Sequence, residues 1–288
     1  MRTESEMYDL ILETARTDPR IRAVILNGSR ANPNARRDIF QDYDIVYVVT
    51  DVDSFRADPT WVDRFGERII MQTPDAMGDP PPTNRDTFTY LMLFADGNRI
   101  DLTLFPVAKA HELGQDSLSR LLLDKDGIVP PLDLPSERSY LPRRPTERQF
   151  ADCCNEFWWV STYVAKGLWR EEITYAKAMM DQVVRPQLML LLTWHIGVAT
   201  NFQRNPGKDG KYFQAYLEPE LWEMLLQTYA DADDNNTWDA LFVMGDLFRR
   251  VAVPLAERFG FAYPHEDDRR VSSYLRQVRR LPRKEDRK

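Results

Sequence analysis

Asn27-Gly28-Ser29-Arg30, followed twelve positions after Arg30 by Asp42-Tyr43-Asp44, is the stretch on which the fold turns. The apolar run before it, Ile21-Arg-Ala-Val-Ile-Leu-Asn27, reads as a buried strand that ends in a tight turn at Gly28. A second buried strand, Tyr43 to Val49, begins inside the acidic pair. Strand side chains alternate between faces, so Asp42 and Asp44 project from the same one. The apolar continuation through Ile45, Val46, Val48 and Val49 brings this edge close to a core, where an unpaired charge is costly. Either one carboxylate caps a turn while the other stays solvated, or a hard divalent cation with oxygen ligands, Mg²⁺, relieves their repulsion.

Outward from this stretch, the first half alternates helix and strand. Thr3 and Glu6 form a candidate capping box, with Met7, Leu10, Ile11 and Ala15 at helical spacing behind it. Arg68 to Gln72 reads as a third strand. Thr87–Ala95 and Asn98–Phe105 flank Asp96-Gly97, a strong hairpin signal, so the sheet is expected to be mixed with an antiparallel pair at its later end. Helical runs are expected at Val107–Gly114 and Leu118–Leu123. Prolines from Pro130 to Pro145 then mark a boundary, dividing the chain into residues 1–145 and 146–288. Beyond it, Thr146–Arg170, Ile173–Phe202, Pro219–Tyr229, Thr237–Phe259 and Asp268–Val278 read as helices, with Pro186 kinking or restarting the second. The expected architecture is an α/β domain followed by an all-α one.

Composition narrows the function classes. With 288 residues, 43% of them hydrophobic, and 38 basic against 45 acidic side chains, the chain can bury two cores and is not intrinsically disordered. The formal charge of −7 argues against broad nucleic-acid binding and leaves room for a cationic small molecule. Its longest apolar stretch, Leu188 to Trp194, is too short to span a bilayer, and Met1 to Glu13 is too acidic for a signal peptide. A cytoplasmic location without membrane attachment is expected. Cys153 and Cys154 are adjacent and read as buried free thiols. The basic end, with Arg276, Arg279, Arg280, Arg283, Lys284, Arg287 and Lys288, reads as a solvated helix terminus.

A third carboxylate, Asp101, interrupts a packed strand whose flanking Ile100 and Leu102 point to the opposite face. Gly28-Ser29 offers backbone N–H groups and a hydroxyl to an anion. Together the turn, the acidic pair and the lone Asp supply a phosphate cradle, a metal clamp and a base, the parts that phosphoryl-type transfer requires. Farther on, Lys208 and Lys211 sit in a Gly-flanked loop, either solvated or suited to phosphate. Lys166 before Gly167 either ends a helix favourably or reaches a nucleotide. Asp152 and Glu156 share a helix face, and Glu171 and Glu172 follow Gly167; a substrate bearing guanidinium groups needs such carboxylates, though each also suits a solvated face. Trp158, Trp159, Trp169, Trp194 and Trp222 read mostly as core, with one or two lining a pocket.

The trio resembles the nucleotidyltransferase superfamily that shares its fold with DNA polymerase β. The wider chain is similar to the aminoglycoside 6-adenylyltransferases, the streptomycin-modifying enzymes. That likeness rests on Leu26-Asn-Gly-Ser-Arg-Ala31, Phe40-Gln-Asp-Tyr-Asp-Ile-Val46, Arg99-Ile-Asp-Leu-Thr103, Glu156-Phe-Trp-Trp159, Tyr163-Val-Ala-Lys-Gly-Leu-Trp-Arg170 and Gly207-Lys-Asp-Gly-Lys-Tyr212. It implies a nucleotidyltransferase domain with a helical domain closing on substrate and nucleotide. It also implies Mg²⁺ on Asp42 and Asp44, Asp101 as base, and Ser29 and Arg30 with Gly28 at the triphosphate of ATP. Lys166, Lys208 and Lys211 are expected at the nucleotide; Asp152, Glu156, Trp169, Glu171 and Glu172 are expected at the antibiotic. The implied reaction is adenylyl transfer to the 6-hydroxyl of streptomycin by a monomer, with loss of pyrophosphate. The rivals are a nucleotidyltransferase for another small-molecule or protein hydroxyl and a non-catalytic binding protein of the same fold.

Overall fold

The computed structural model describes residues 1–82 and 86–282. The chain divides into two compact units, Met1–Ser139 and Tyr140–Lys288.

The first unit is a six-stranded mixed sheet flanked by helix. Helix α1 (Glu4–Thr17) opens with the Thr3–Glu6 capping box and buries Met7, Ile11 and Ala15. Strand β1 (Ile21–Asn27) runs into a single helical turn, α2 (Gly28–Ala31), before β2 (Tyr43–Val49). After the short α3 (Asp53–Arg56) come β3 (Arg68–Gln72), β4 (Phe88–Phe94), β5 (Arg99–Pro106) and β6 (Arg120–Asp124). The spatial order is β3-β4-β5-β2-β1-β6, with β2 and β5 parallel and every other pair antiparallel. The mixed sheet and the Asp96-Gly97 hairpin are as expected from the sequence. Alternation does the positioning: Ile100, Leu102 and Leu104 are fully buried on one face, which leaves Arg99, Asp101 and Thr103 on the other.

Two readings of the sequence are corrected here. Leu118–Leu123 is not helical: Arg120–Asp124 forms β6, because the outer edge of β1 has unpaired backbone groups that a strand satisfies and a helix does not. Val107–Glu112 is a 3₁₀ segment within the span read as a helical run.

The second unit is all-helical. Its helices are α4 (Glu147–Trp169), α5 (Ile173–Met179), α6 (Arg185–Ala199), α7 (Phe213–Tyr216), α8 (Pro219–Gln227), α9 (Asp234–Phe259) and α10 (His265–Arg280). Helix α4 opens with a capping box of its own, Thr146 with Gln149. Pro186 lies in the first turn of α6, and the residues before it, Met180–Val184, widen to π-helix. The backbone stays right-handed helical through Val184 and Arg185, so the interruption is a π-helical widening and not a break; it accommodates a proline that can neither donate to the preceding turn nor fit its ring against it. The core centres on Phe150, Phe157, Trp158, Leu188 and Phe248, with Phe157 and Phe248 stacked 3.8 Å apart.

A buried polar knot ties α10 to α9. Arg249 donates to both Asp268 oxygens at 2.6 and 2.5 Å, while Tyr263 and Ser272 donate to the same carboxylate. Burial alone would raise the Asp268 carboxyl; these donors outweigh it and hold it below the usual range. Cys153 and Cys154 are free and buried, and burial pushes the Cys154 thiol up to about 12. Arg276, Arg279 and Arg280 lie on α10, where Arg279 donates to Asp239 at 2.7 Å. Arg283, Lys284, Arg287 and Lys288 lie outside the described residues. Among the described residues, no helix is long and apolar enough to cross a membrane.

Candidate active site

Strands β2 and β5 run side by side in register, and that register makes Asp44 and Asp101 direct neighbours. On the other side of β2, Asn27 of β1 is the partner of Asp44. The chain then turns at Gly28 with φ +70°, and this turn lies against the Asp44 carboxylate. A methyl group at Gly28 would sit 2.1 Å from Asp44 Oδ2, so only glycine fits both the backbone and the contact. Gly28→Ala should therefore push Asp44 aside, lowering turnover at least tenfold and costing about 1–3 kcal/mol of stability. Kinetics and a denaturant melt on the same preparation check this; wild-type turnover would show that Asp44 needs no such fixed seat.

Burial pushes the Asp44 carboxyl up to about 6, and the negative charges of Asp101 and Asp42 push in the same direction. Asp42 is also raised, first by burial, with Arg99 opposing. Arg99 donates from Nε to Asp101 Oδ1 at 2.7 Å and from Nη2 to Oδ2 at 2.8 Å, and its Nη1 lies 3.6 Å from Asp42. Among the described residues no three acidic, cysteine or histidine side chains already converge on a metal position. Mg²⁺ does not need such a cage, since one or two carboxylates suffice when water and phosphate complete its shell. The donor set here is hard oxygen, crowded and mutually repelling, which is the chemistry that suits it.

Ser29 is half-buried, and its hydroxyl makes no hydrogen bond among the described residues; its carbonyl accepts from Gln41 Nε2 at 3.4 Å. Arg30 is placed differently from a phosphate ligand. Its guanidinium is buried on the Tyr43 ring at 3.7 Å and donates to the carbonyls of Gln41 and Asp42 at 2.8 and 3.1 Å. It thereby anchors the segment that carries Asp42. Beside the carboxylates a cleft of about 460 Å³ is lined by Phe40, Gln41, Asp42, Leu91, Leu93 and Arg99, with Phe40 80% exposed.

In the helical unit, Asp152 and Glu156 line one cleft of about 700 Å³ together with Trp194. Trp159, 59% exposed, lines a second cleft next to Asp152, whereas Trp158 and Trp194 are buried. Trp169, Glu171 and Glu172 are not brought to either cleft. Trp169 stands thirteen positions after Glu156 on α4, about 20 Å at helical rise. Trp169 instead faces a small cavity beside Trp238, with its indole N–H buried and without a hydrogen-bond partner among the described residues. Glu172 is exposed and lies 3.9 Å from Arg170. Glu171, also exposed, adopts φ +63° in the turn between α4 and α5. Lys166 packs over Tyr163, and Lys208 and Lys211 are exposed in the loop between α6 and α7. There Gly207 and Gly210 make room for the chain's own Tyr212 and Met189.

The family model described as Streptomycin adenylyltransferase matches residues 1–278. The chain belongs to this family. It is 44% identical over 270 residues to an aminoglycoside 6-adenylyltransferase of Bacillus subtilis, covering 93% of this chain and 95% of that one. The same name is carried by a Campylobacter jejuni relative, 42% identical over the whole length of both chains. A Staphylococcus aureus relative of that name is 34% identical, covering 96% of this chain and 98% of its own. The crystal structure of an aminoglycoside 6-adenyltransferase from Bacillus subtilis matches with 39% identity and a TM-score of 0.49, over 98% of this chain and all of the other. As a member of the streptomycin adenylyltransferase family the protein is a nucleotidyltransferase. Sequence reasoning missed Arg99 at this site, although an Arg two residues before Asp101 on the same strand must share its face.

Proposed function

We propose that this protein transfers the adenylyl group of ATP to a hydroxyl of streptomycin, the 6-hydroxyl by likeness to its relatives, and releases pyrophosphate. The observation that carries the reading is the register of β2 and β5, which sets Asp101 beside Asp44 while the Gly28 turn closes on the same carboxylate. The first unit is read as a DNA polymerase β-like nucleotidyltransferase domain. Asp42 and Asp44 would hold Mg²⁺, which when bound neutralises triphosphate charge.

The chain's own groups do the rest. Asp101 accepts the proton of the attacking hydroxyl as its oxygen bonds to the α-phosphorus and the bond to the departing pyrophosphate breaks. The Ser29 hydroxyl, which has no hydrogen-bond partner among the described residues, donates to the triphosphate; Lys166, Lys208 and Lys211 are candidate phosphate cations. Arg30 is assigned to hold the Asp42 segment and not to touch phosphate, because its Nε and Nη2 already serve the carbonyls of Gln41 and Asp42 and its Nη1 lies 3.4 Å from Glu4. Asp152 and Glu156, on one cleft, suit the guanidinium groups of the antibiotic. Trp169 lies about 20 Å along α4 from Glu156, with Glu171 and Glu172 past the helix end, and the three carry less of this reading.

The test is incubation of the full chain with ATP, Mg²⁺ and a panel of aminoglycosides, followed by mass spectrometry. Streptomycin should gain one adenylyl group with stoichiometric pyrophosphate. Modification of a different antibiotic, or of a protein hydroxyl, with streptomycin untouched would move the acceptor; no transfer to any acceptor would favour a binding protein.

A further inference from the structure

We propose that Arg99 is a positioning residue that serves the acidic cluster as a resident counter-cation, holding the plane of Asp101 and competing with a divalent cation for Asp42. The inference rests on the reading of Asp42, Asp44 and Asp101 as the reaction site and adds to it a residue with a role of its own.

The geometry is that of a fork on a carboxylate. Two parallel N–H donors meet the two oxygens of Asp101 at 2.7 and 2.8 Å, and the third guanidinium nitrogen lies 3.6 Å from Asp42 Oδ2. Such bidentate pairs fix orientation as well as adding attraction. The fork uses two of the four acceptor sites of Asp101 and leaves the others for a proton or ligand, now aimed in a set direction. Arg99 is unlike Arg30 in what it touches. Arg30 is buried, donates to backbone carbonyls and pairs with Glu4, away from the acidic cluster; Arg99 is 41% exposed, and its guanidinium meets the carboxylates of Asp101 and Asp42. It is therefore placed to exchange partners without breaking the sheet.

Charge and shape make separable demands. A positive charge this close to Asp42 opposes a second cation there, so its removal should tighten metal binding, whereas loss of the fork frees Asp101 to rotate and should slow the reaction. A side chain that merely braced the strand would weaken both. Arg99→Gln removes charge and fork; Arg99→Lys keeps the charge and loses the fork.

The probe is Mn²⁺ alone, titrated into full-length protein without nucleotide and followed by the electron paramagnetic resonance signal of the free ion. Arg99→Gln should bind Mn²⁺ about tenfold more tightly than wild type, Arg99→Lys within about twofold of it. Turnover at saturating substrates should fall at least tenfold in both. Unchanged or weaker Mn²⁺ binding in Arg99→Gln overturns the counter-cation role, and wild-type turnover in Arg99→Lys overturns the positioning role. Should Arg99→Gln fail to fold, Arg99→Asn carries the same charge test. The Asp44→Asn protein is the control on the site itself: loss of Mn²⁺ binding there supports the carboxylate site, and Mn²⁺ bound as in wild type overturns that underlying reading whatever Arg99 does.

Discussion

Asp44→Asn should abolish adenylyl transfer, lowering turnover by at least about 10³-fold, while the protein folds and melts as well as wild type. The amide keeps the shape of the side chain and its seat against Gly28 but loses the charge that a divalent cation requires, and the lost transition-state stabilisation is several kcal/mol. Stability should hold because the fold already disfavours the ionised form: burial and two neighbouring carboxylates raise this group to about 6. Pyrophosphate release together with a thermal melt checks both halves. Near-normal turnover would remove Asp44 from the reaction, and a collapsed melt would mean that its role is in folding.

The next largest effect is expected at Asp101. Conversion to Asn should cost the ~10²–10⁴-fold of a lost general base while ATP and streptomycin still bind. The register that sets Asp101 beside Asp44 also puts it within reach of a shared cation, so the two roles must be separated by measurement. Turnover and Mg-dependent ATP affinity, determined on one preparation, do so. A rate loss accounted for by weaker Mg-ATP binding makes Asp101 a ligand, and an unchanged rate leaves it no part in the chemistry.

Much of the candidate site's arrangement was legible in the sequence because its signals are local. Period 2 places Asp42 and Asp44 on one face and sets Asp101 opposite Ile100 and Leu102, and the glycine after a strand announces a turn. Pairing between distant strands leaves no such mark. Nothing local in Asn98–Phe105 says that β5 lies parallel to β2 as well as antiparallel to β4, yet that neighbour is what brings Asp101 to Asp44. The same blindness turned β6 into a helical run, since three consecutive leucines suit either structure until the open edge of β1 is known. In the helical unit, proximity in sequence overstated proximity in space: Glu156 lies near the middle of the long helix α4, whereas Glu171 lies past its end, in the turn before α5.

The central strand pair also bears on how the chain reaches its fold. Strands β2 and β5 join residues 57 positions apart across the β3–β4 excursion, so their zipping is a non-local and comparatively slow step. It is also the step that forces like charges together, a penalty that the unfolded chain does not feel. Arg99 travels on the same strand as Asp101, two residues ahead and on the same face, so β5 meets β2 with its acid already neutralised. The spacing Arg-x-Asp thus lets a repulsive cluster assemble before any cation from solution has been recruited to it.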